Sequence, residues 1–308
     1  MKTKRKFVEG EVNHTYQRTI SGFNIFYEAE DYLVYYTIFS TIARSLRIDV
    51  YGLCLMIDHI HSLVAASSND MYSKFMATVT SVFVKEYNKE RGRSGPLFDR
   101  VFGSVPKLGM KLLRTAIAYL FNNPVERFVC RCAQEYRWNF LAYGRSDNPF
   151  SEPLTIRNAS PNLKRALKEV DGTYARNRHL THAQLRRMFA SLDKKEKNQL
   201  IDHIIVRYNI KRYDLLTTQS YDGYENMVLA INSNAGSEYE IKEHKWSRSD
   251  VEYRELYQYV HTHGFKDAGE VIALDTDAKL RLLIDMLRET HASKLQICKF
   301  LHLTIRFS

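Results

Sequence analysis

The run LCLMIDHIHSLV, from Leu53 to Val64, constrains this chain more than any other segment. It is strongly apolar and carries His59 and His61 one residue apart. Successive side chains of an extended strand point to opposite faces, so both imidazoles project from one side and Ile60 from the other. The short polar step Ile57-Asp58 divides the run into two expected strands, 50–57 and 59–66, joined by a tight connection. Two imidazoles side by side on a rigid strand are a ready pair of ligands for a divalent metal. A strand that merely carries two histidines has the same pattern, so the pair gains meaning only from the rest of the chain.

Around that run the periodicities alternate. Residues 12–20 read as a first strand. Tyr32, Tyr35, Phe39, Ile42, Ala43 and Leu46 recur at helical spacing from Glu28 to Arg47. A second amphipathic helix spans 71–91, built on Phe75, Val79, Val82, Phe83 and Tyr87, and the turn-rich RGRSGP ends it. A short strand is expected at 101–105. A third helix follows over 109–123, with Pro124 as its stop. The order strand, helix, strand, strand, helix, strand is that of a ferredoxin-like antiparallel sheet, with one helix added. Loop-like composition at DNPFSEPLTIRNAS, 147–160, marks a domain boundary. Helical patterns dominate beyond it, at 161–170, 181–191, 194–208, 250–263 and 277–290, and 221–242 reads as a short strand pair. The fold class is therefore α+β, with a first domain over 1–150 and a mostly helical one over 151–308.

Composition excludes several classes. Apolar residues make 44% of the 308 and charged residues 26%, the balance of a soluble globular protein. No stretch has the roughly 18 uncharged apolar residues of a membrane span. The start, MKTKRKFVEGEV, has no apolar core behind its basic residues and is not expected to act as a secretory signal. Four cysteines without a C-x-x-C pair fit a reducing cytoplasm. The formal charge of +10 biases the chain toward polyanions, of which nucleic acid is the commonest.

The third helix carries the second informative pair. Leu113, Ile117 and Leu120 form its core stripe, while Leu112, Ala116, Tyr119 and Asn123 lie along the flank. Tyr119 and Asn123 are four apart and so neighbours on one surface, presenting a phenol and an amide together. A boundary tyrosine and a helix-ending asparagine before proline would leave the same trace.

Five stretches, HTYQRT (14–19), LCLMIDHIHSLV, KEYNKERGRSGPLFDRVF (85–102), AYLFNNPVE (118–126) and EYRWNFLAY (135–143), resemble in order and spacing the REP-associated tyrosine transposases, single-tyrosine enzymes of the HUH superfamily. The resemblance implies an HUH endonuclease domain in which His59 and His61 bind Mg²⁺ or Mn²⁺ and Asn123 supplies a third ligand. Tyr119 then attacks a phosphorus of single-stranded DNA, forming a 5′-phosphotyrosine and releasing a 3′-hydroxyl. It implies hairpin-forming repeats as substrate, a monomer or homodimer, and a cytoplasmic protein associated with the nucleoid. Arg18, Lys85, Arg100 and Arg114 fall within or beside the matching stretches and are candidates to grip phosphates; each reads equally as a solvated surface charge.

The chain departs from the family where Ile57-Asp58 replaces the usual Pro-Asn before the first histidine, and Asp58 on a regular strand would point away from the metal face. A DNA-binding protein on the same scaffold without catalysis is the alternative. A histidine-triad hydrolase lacks its third alternating histidine, since Val64 and Ala65 follow Leu63. Toward the end, ASKLQICKFLHL resembles the helix before the turn of a helix-turn-helix, and the mostly helical part reads as an accessory DNA-binding domain.

Overall fold

The structure, a computed structural model, describes residues 7–99, 102–217, 221–234 and 249–304. Its first part follows the expected order: β1 (Asn13–Arg18), α1 (Ala29–Leu46), β2 (Asp49–Leu55), β3 (His59–Ala65), α2 (Asn69–Glu90), β4 (Gly103–Pro106) and α3 (Gly109–Glu126). The four strands form one sheet in the order β2-β3-β1-β4, every neighbouring pair antiparallel. That is the ferredoxin-like arrangement read from the sequence, and it makes β3 a central strand.

The alternation along β3 divides the molecule. Ile60 and Val64 face α1 and α2, joining Phe39, Phe75, Val79 and Phe83 in one large core. Leu63 faces the other way, into a second core with Ala116, Ile117, Leu120 and Phe121 of α3. His59 and His61 share Leu63's parity and so lie on the α3 side. Gly52 of β2 makes this docking close. A Cβ there would sit 3.3 Å from the Leu120 side chain, so the bare backbone lets α3 settle on the sheet.

Pro124 does not stop α3. The helix runs on to Glu126 with Pro124 inside it. Proline removes one donor, but Arg127 N–H still reaches the Asn123 carbonyl at 3.2 Å and Val129 N–H the Pro124 carbonyl at 2.9 Å. Asn123 is thereby held in helical geometry one turn beyond Tyr119.

The remainder is helical: α4 (Pro161–Ala175), α5 (His182–Ala190), α6 (Lys194–Arg207), the single turn α7 (Tyr213–Leu215), α8 (Tyr224–Ser233), α9 (Glu252–Thr262), α10 (Ala268–Ala273), α11 (Thr276–Glu289) and α12 (Lys294–Leu301). Where a strand pair was expected at 221–242, the described part is the helix α8. Its Met227, Val228 and Ile231 pack beside α3, and Asn122 donates to the Ile231 carbonyl at 2.6 Å. Helices α4 to α6 share the large core of α1 and α2, through residues such as Leu163, Leu185 and Ile204. A third core unites α9, α11 and α12 with Tyr27 and Ile57. Residues 294–301 are helical as expected, and a helix after the turn would fall on residues outside those described. Among the described residues, no helix is long and apolar enough to cross a membrane.

Candidate active site

His59, His61, Tyr119 and Asn123 are brought together where α3 crosses the sheet. All four are buried, 3%, 1%, 5% and 5% exposed, in a region where water is scarce. Nε2 of His59 lies 3.1 Å from the Asn123 amide oxygen. The His59 and His61 rings meet edge to face with centroids 5.0 Å apart, and the Tyr119 ring stands edge-on to His61 at 5.4 Å. The flank of α3 read from the sequence holds from Ala116 to Asn123, while Leu112, one turn earlier, is exposed.

Each histidine is gripped at its other nitrogen. Nδ1 of His59 lies 2.5 Å from Oδ1 of Asp58. A carboxylate accepts only, so this nitrogen carries the proton and Nε2 is left to face Asn123. Burial opposes the charge on Asp58, yet His59, Arg127 and Lys299 together hold its carboxyl well below the usual range. Asp58 precedes β3 in the connection from β2, so strand alternation does not turn it away from the site. Nδ1 of His61 lies 3.0 Å from Nε2 of His14, whose ring stacks on it at 5.1 Å and stands edge-on to Tyr119 at 5.7 Å. Burial first, then the neighbouring His59, Arg18 and Arg127, pushes the His61 pKa well below its ordinary value, so this ring is neutral at neutral pH.

The donor set suits a divalent cation. An ion with bonds of about 2.1 Å at right angles sets neighbouring ligand atoms about 3 Å apart, close to the His59–Asn123 separation. Among the described residues no group of three or more His, Cys, Asp or Glu is placed to hold a metal. The candidate ligands here are two imidazoles and an amide.

The four basic candidates scatter. Arg18, at the end of β1, lines a cavity against His59. Arg114 is exposed on α3, its guanidinium 5.5 Å from the Tyr221 ring centroid. Lys85 is exposed on α2, which covers the opposite face of the sheet from the histidines. Arg100 lies outside the described residues. Elsewhere, His179 and His182 face Glu86 and Asp31, and His263 faces Glu289.

Sequence reading assigned no role to His14, although it sits in the quoted HTYQRT stretch. Its parity with Tyr16, which pairs with His61 across the strands, was the available signal. Arg127 was also missed, four residues past Asn123 on the line begun by Tyr119.

Residues 2–102, 101 of the 308, match the family model described as Transposase IS200 like. The match includes His59 and His61 but ends before Tyr119 and Asn123, which rest on the geometry above. A solved structure of a REP-associated tyrosine transposase bound to a REP hairpin aligns with 52% of this chain and 96% of its own, at 13% identity and a TM-score of 0.41. No curated protein matches the chain. Over residues 2–102 the chain is thus similar to the IS200-like transposases, in keeping with the resemblance drawn from the motifs.

Proposed function

We propose that this protein is a metal-dependent transesterase that cleaves and rejoins single-stranded DNA, at hairpin-forming repeats, through a 5′-phosphotyrosine. The observation that carries the reading is the convergence of Tyr119, on α3, with His61 and His59, on β3, inside one buried site. His59, His61 and Asn123 would hold a Mg²⁺ or Mn²⁺ ion, which when bound supplies Lewis acidity at the scissile phosphate.

The chain's own groups do the rest. Asp58 and His14 fix the two ring orientations through the Nδ1 atoms. The sheet and α3 hold the phenol at a set place, so attack is a matter of position rather than of collision. Tyr119 Oη forms a bond to phosphorus as the P–O3′ bond breaks. The phenol gives up a proton and the departing 3′ oxygen takes one, so the step is balanced without external energy. Reversal by a second 3′-hydroxyl end restores the phosphodiester and frees the tyrosine. A tyrosine with a pKa near ~10 is a poor nucleophile until its oxygen is deprotonated, which is why the site must assist it.

The test is a labelled single-stranded hairpin incubated with Mn²⁺ and run on a denaturing gel. A covalent protein–DNA adduct is expected from the wild type and none from the His59→Ala, His61→Ala double variant. Undiminished adduct from the double variant rejects the metal assignment.

A further inference from the structure

A cavity of about 480 Å³ opens beside the turn that joins β2 to β3. Met56 and Ile57 of that turn line it, and the next two residues are Asp58 and His59 of the candidate active site. Another wall comes from α9 and from Asp250 just before it. Seven of the fifteen lining residues are aromatic, against 12% of the chain, so the cavity is built chiefly of rings.

Phe26, Tyr32 and Trp138 form a continuous stack, with centroids 4.6 and 4.4 Å apart, and Trp138 at its end is only partly buried. The hydroxyls of the lining tyrosines go to other partners. Tyr27 donates to the Phe300 carbonyl at 2.8 Å, Tyr136 to the Leu55 carbonyl at 2.7 Å, and Tyr257 to Glu28. Their rings are left as apolar surface. Asp250 differs. It is 8% exposed, and its Oδ1 stands 3.7 Å from an Arg127 guanidinium nitrogen. Its Oδ2 is buried and has no hydrogen-bond partner among the described residues. A buried carboxylate oxygen without a donor is costly, and such groups are normally satisfied.

We infer that this cavity takes one base of the DNA strand, turned out of the strand and stacked on the rings, with its amino group donating to Asp250 Oδ2. The inference rests on the reading that single-stranded DNA is the substrate. The volume lies within the range of small ligand sites and holds a base with its sugar. Unstacked bases are recognised in this way, by aromatic faces and by hydrogen bonds to their edges. A carboxylate only accepts, so it favours guanine, adenine and cytosine, which carry amino groups, over thymine, which has none. Ile57 and His59 are two residues apart, at most about 7 Å of chain, so the base belongs to a nucleotide close to the scissile phosphate. A contact to a base edge reads sequence, which contacts to phosphate do not.

The test uses the full chain carrying Tyr119→Phe, so that binding stays reversible, and a fluorescent hairpin with single-stranded flanks. Abasic sites are placed one at a time along the flanks and the affinity is measured for each. One position is expected to lose about 5- to 150-fold, the worth of a single base stacked on aromatic rings. At that position thymine should bind more weakly than the other three bases. Asp250→Ala removes the acceptor and is expected to abolish the preference against thymine while the abasic loss remains. Tyr257→Leu removes a partly buried ring and is expected to shrink the abasic loss, which keeps the test open if the Asp250 variant unfolds. An unchanged base preference in folded Asp250→Ala, or an unchanged abasic loss in folded Tyr257→Leu, overturns the base pocket. So does a parent in which no single flank position matters. If the pocket fails in any of these ways while the Tyr119 protein still forms adducts, the transesterase reading stands. If the parent does not bind the hairpin, both fall.

Discussion

Asp58 Oδ1 sits 2.5 Å from Nδ1 of His59, behind the ring as seen from Asn123. A carboxylate at that place fixes which ring nitrogen carries the proton and raises the basicity of the other. Asp58→Asn keeps the shape and removes the charge. It is expected to weaken Mn²⁺ binding by roughly 10- to 100-fold, measured by electron paramagnetic resonance titration of the free ion. Equal affinity would mean that the contact only fills space.

Asp31 ties three helices together. It accepts from Arg91 at 2.9 Å through both oxygens and from His182 at 3.0 Å, and it caps α1 through the N–H groups of Tyr27 and Glu28. Burial disfavours its charge, but Arg91 and His182 outweigh that and hold the carboxyl well below its ordinary range. Asp31→Ala leaves the buried Arg91 with the longer pair to Asp267, at 3.8 Å, and is expected to cost about 3 kcal/mol. Urea unfolding checks this: the midpoint should fall with little change in slope. A loss under about 1 kcal/mol would contradict it.

Much of this was legible beforehand. Alternation put both imidazoles on one face of β3, and helical spacing put Tyr119 and Asn123 one turn apart. Neither period reports what lies across a gap. The His14–His61 contact depends on the register of β1 against β3, and the Lys299–Asp58 contact on where α12 docks. Helix α8 has no clear period in the sequence because its buried apolar residues Met227, Val228 and Ile231 cover less than two turns, too few to separate helix from strand, and 235–242 lie outside the described residues. Pro124 was read as a stop because the loss of one donor was weighed without the bonds that flank it.

The docking of α12 should depend on pH. Burial, more than the neighbouring positive charges, lowers the His302 pKa to about 4, although its bond to the Asn24 carbonyl favours the charged form. The unfolded value is about 6.5. The unfolded chain therefore binds the proton first, so stability is full above about pH 6.5 and declines as pH falls toward 4. The ceiling on this contribution is about 3 kcal/mol, from 1.36 kcal/mol per unit. His302→Asn, which tolerates the left-handed backbone at this position (φ 55°), should flatten the decline. Thermal melts at pH 7 and 5 compare the two proteins. Parallel declines would place the sensitive group elsewhere.

The chain has 20 tyrosines, and the account gives the nucleophile's role to one of them. Mass spectrometry of the adduct formed on a single-stranded hairpin with Mn²⁺, after nuclease trimming and proteolysis, reads the linkage directly. The expected result is a nucleotide 5′-phosphate on the Tyr119 peptide, and no adduct from Tyr119→Phe with hairpin affinity nearly unchanged. A linkage on any other tyrosine, or full adduct from Tyr119→Phe, would contradict the central claim.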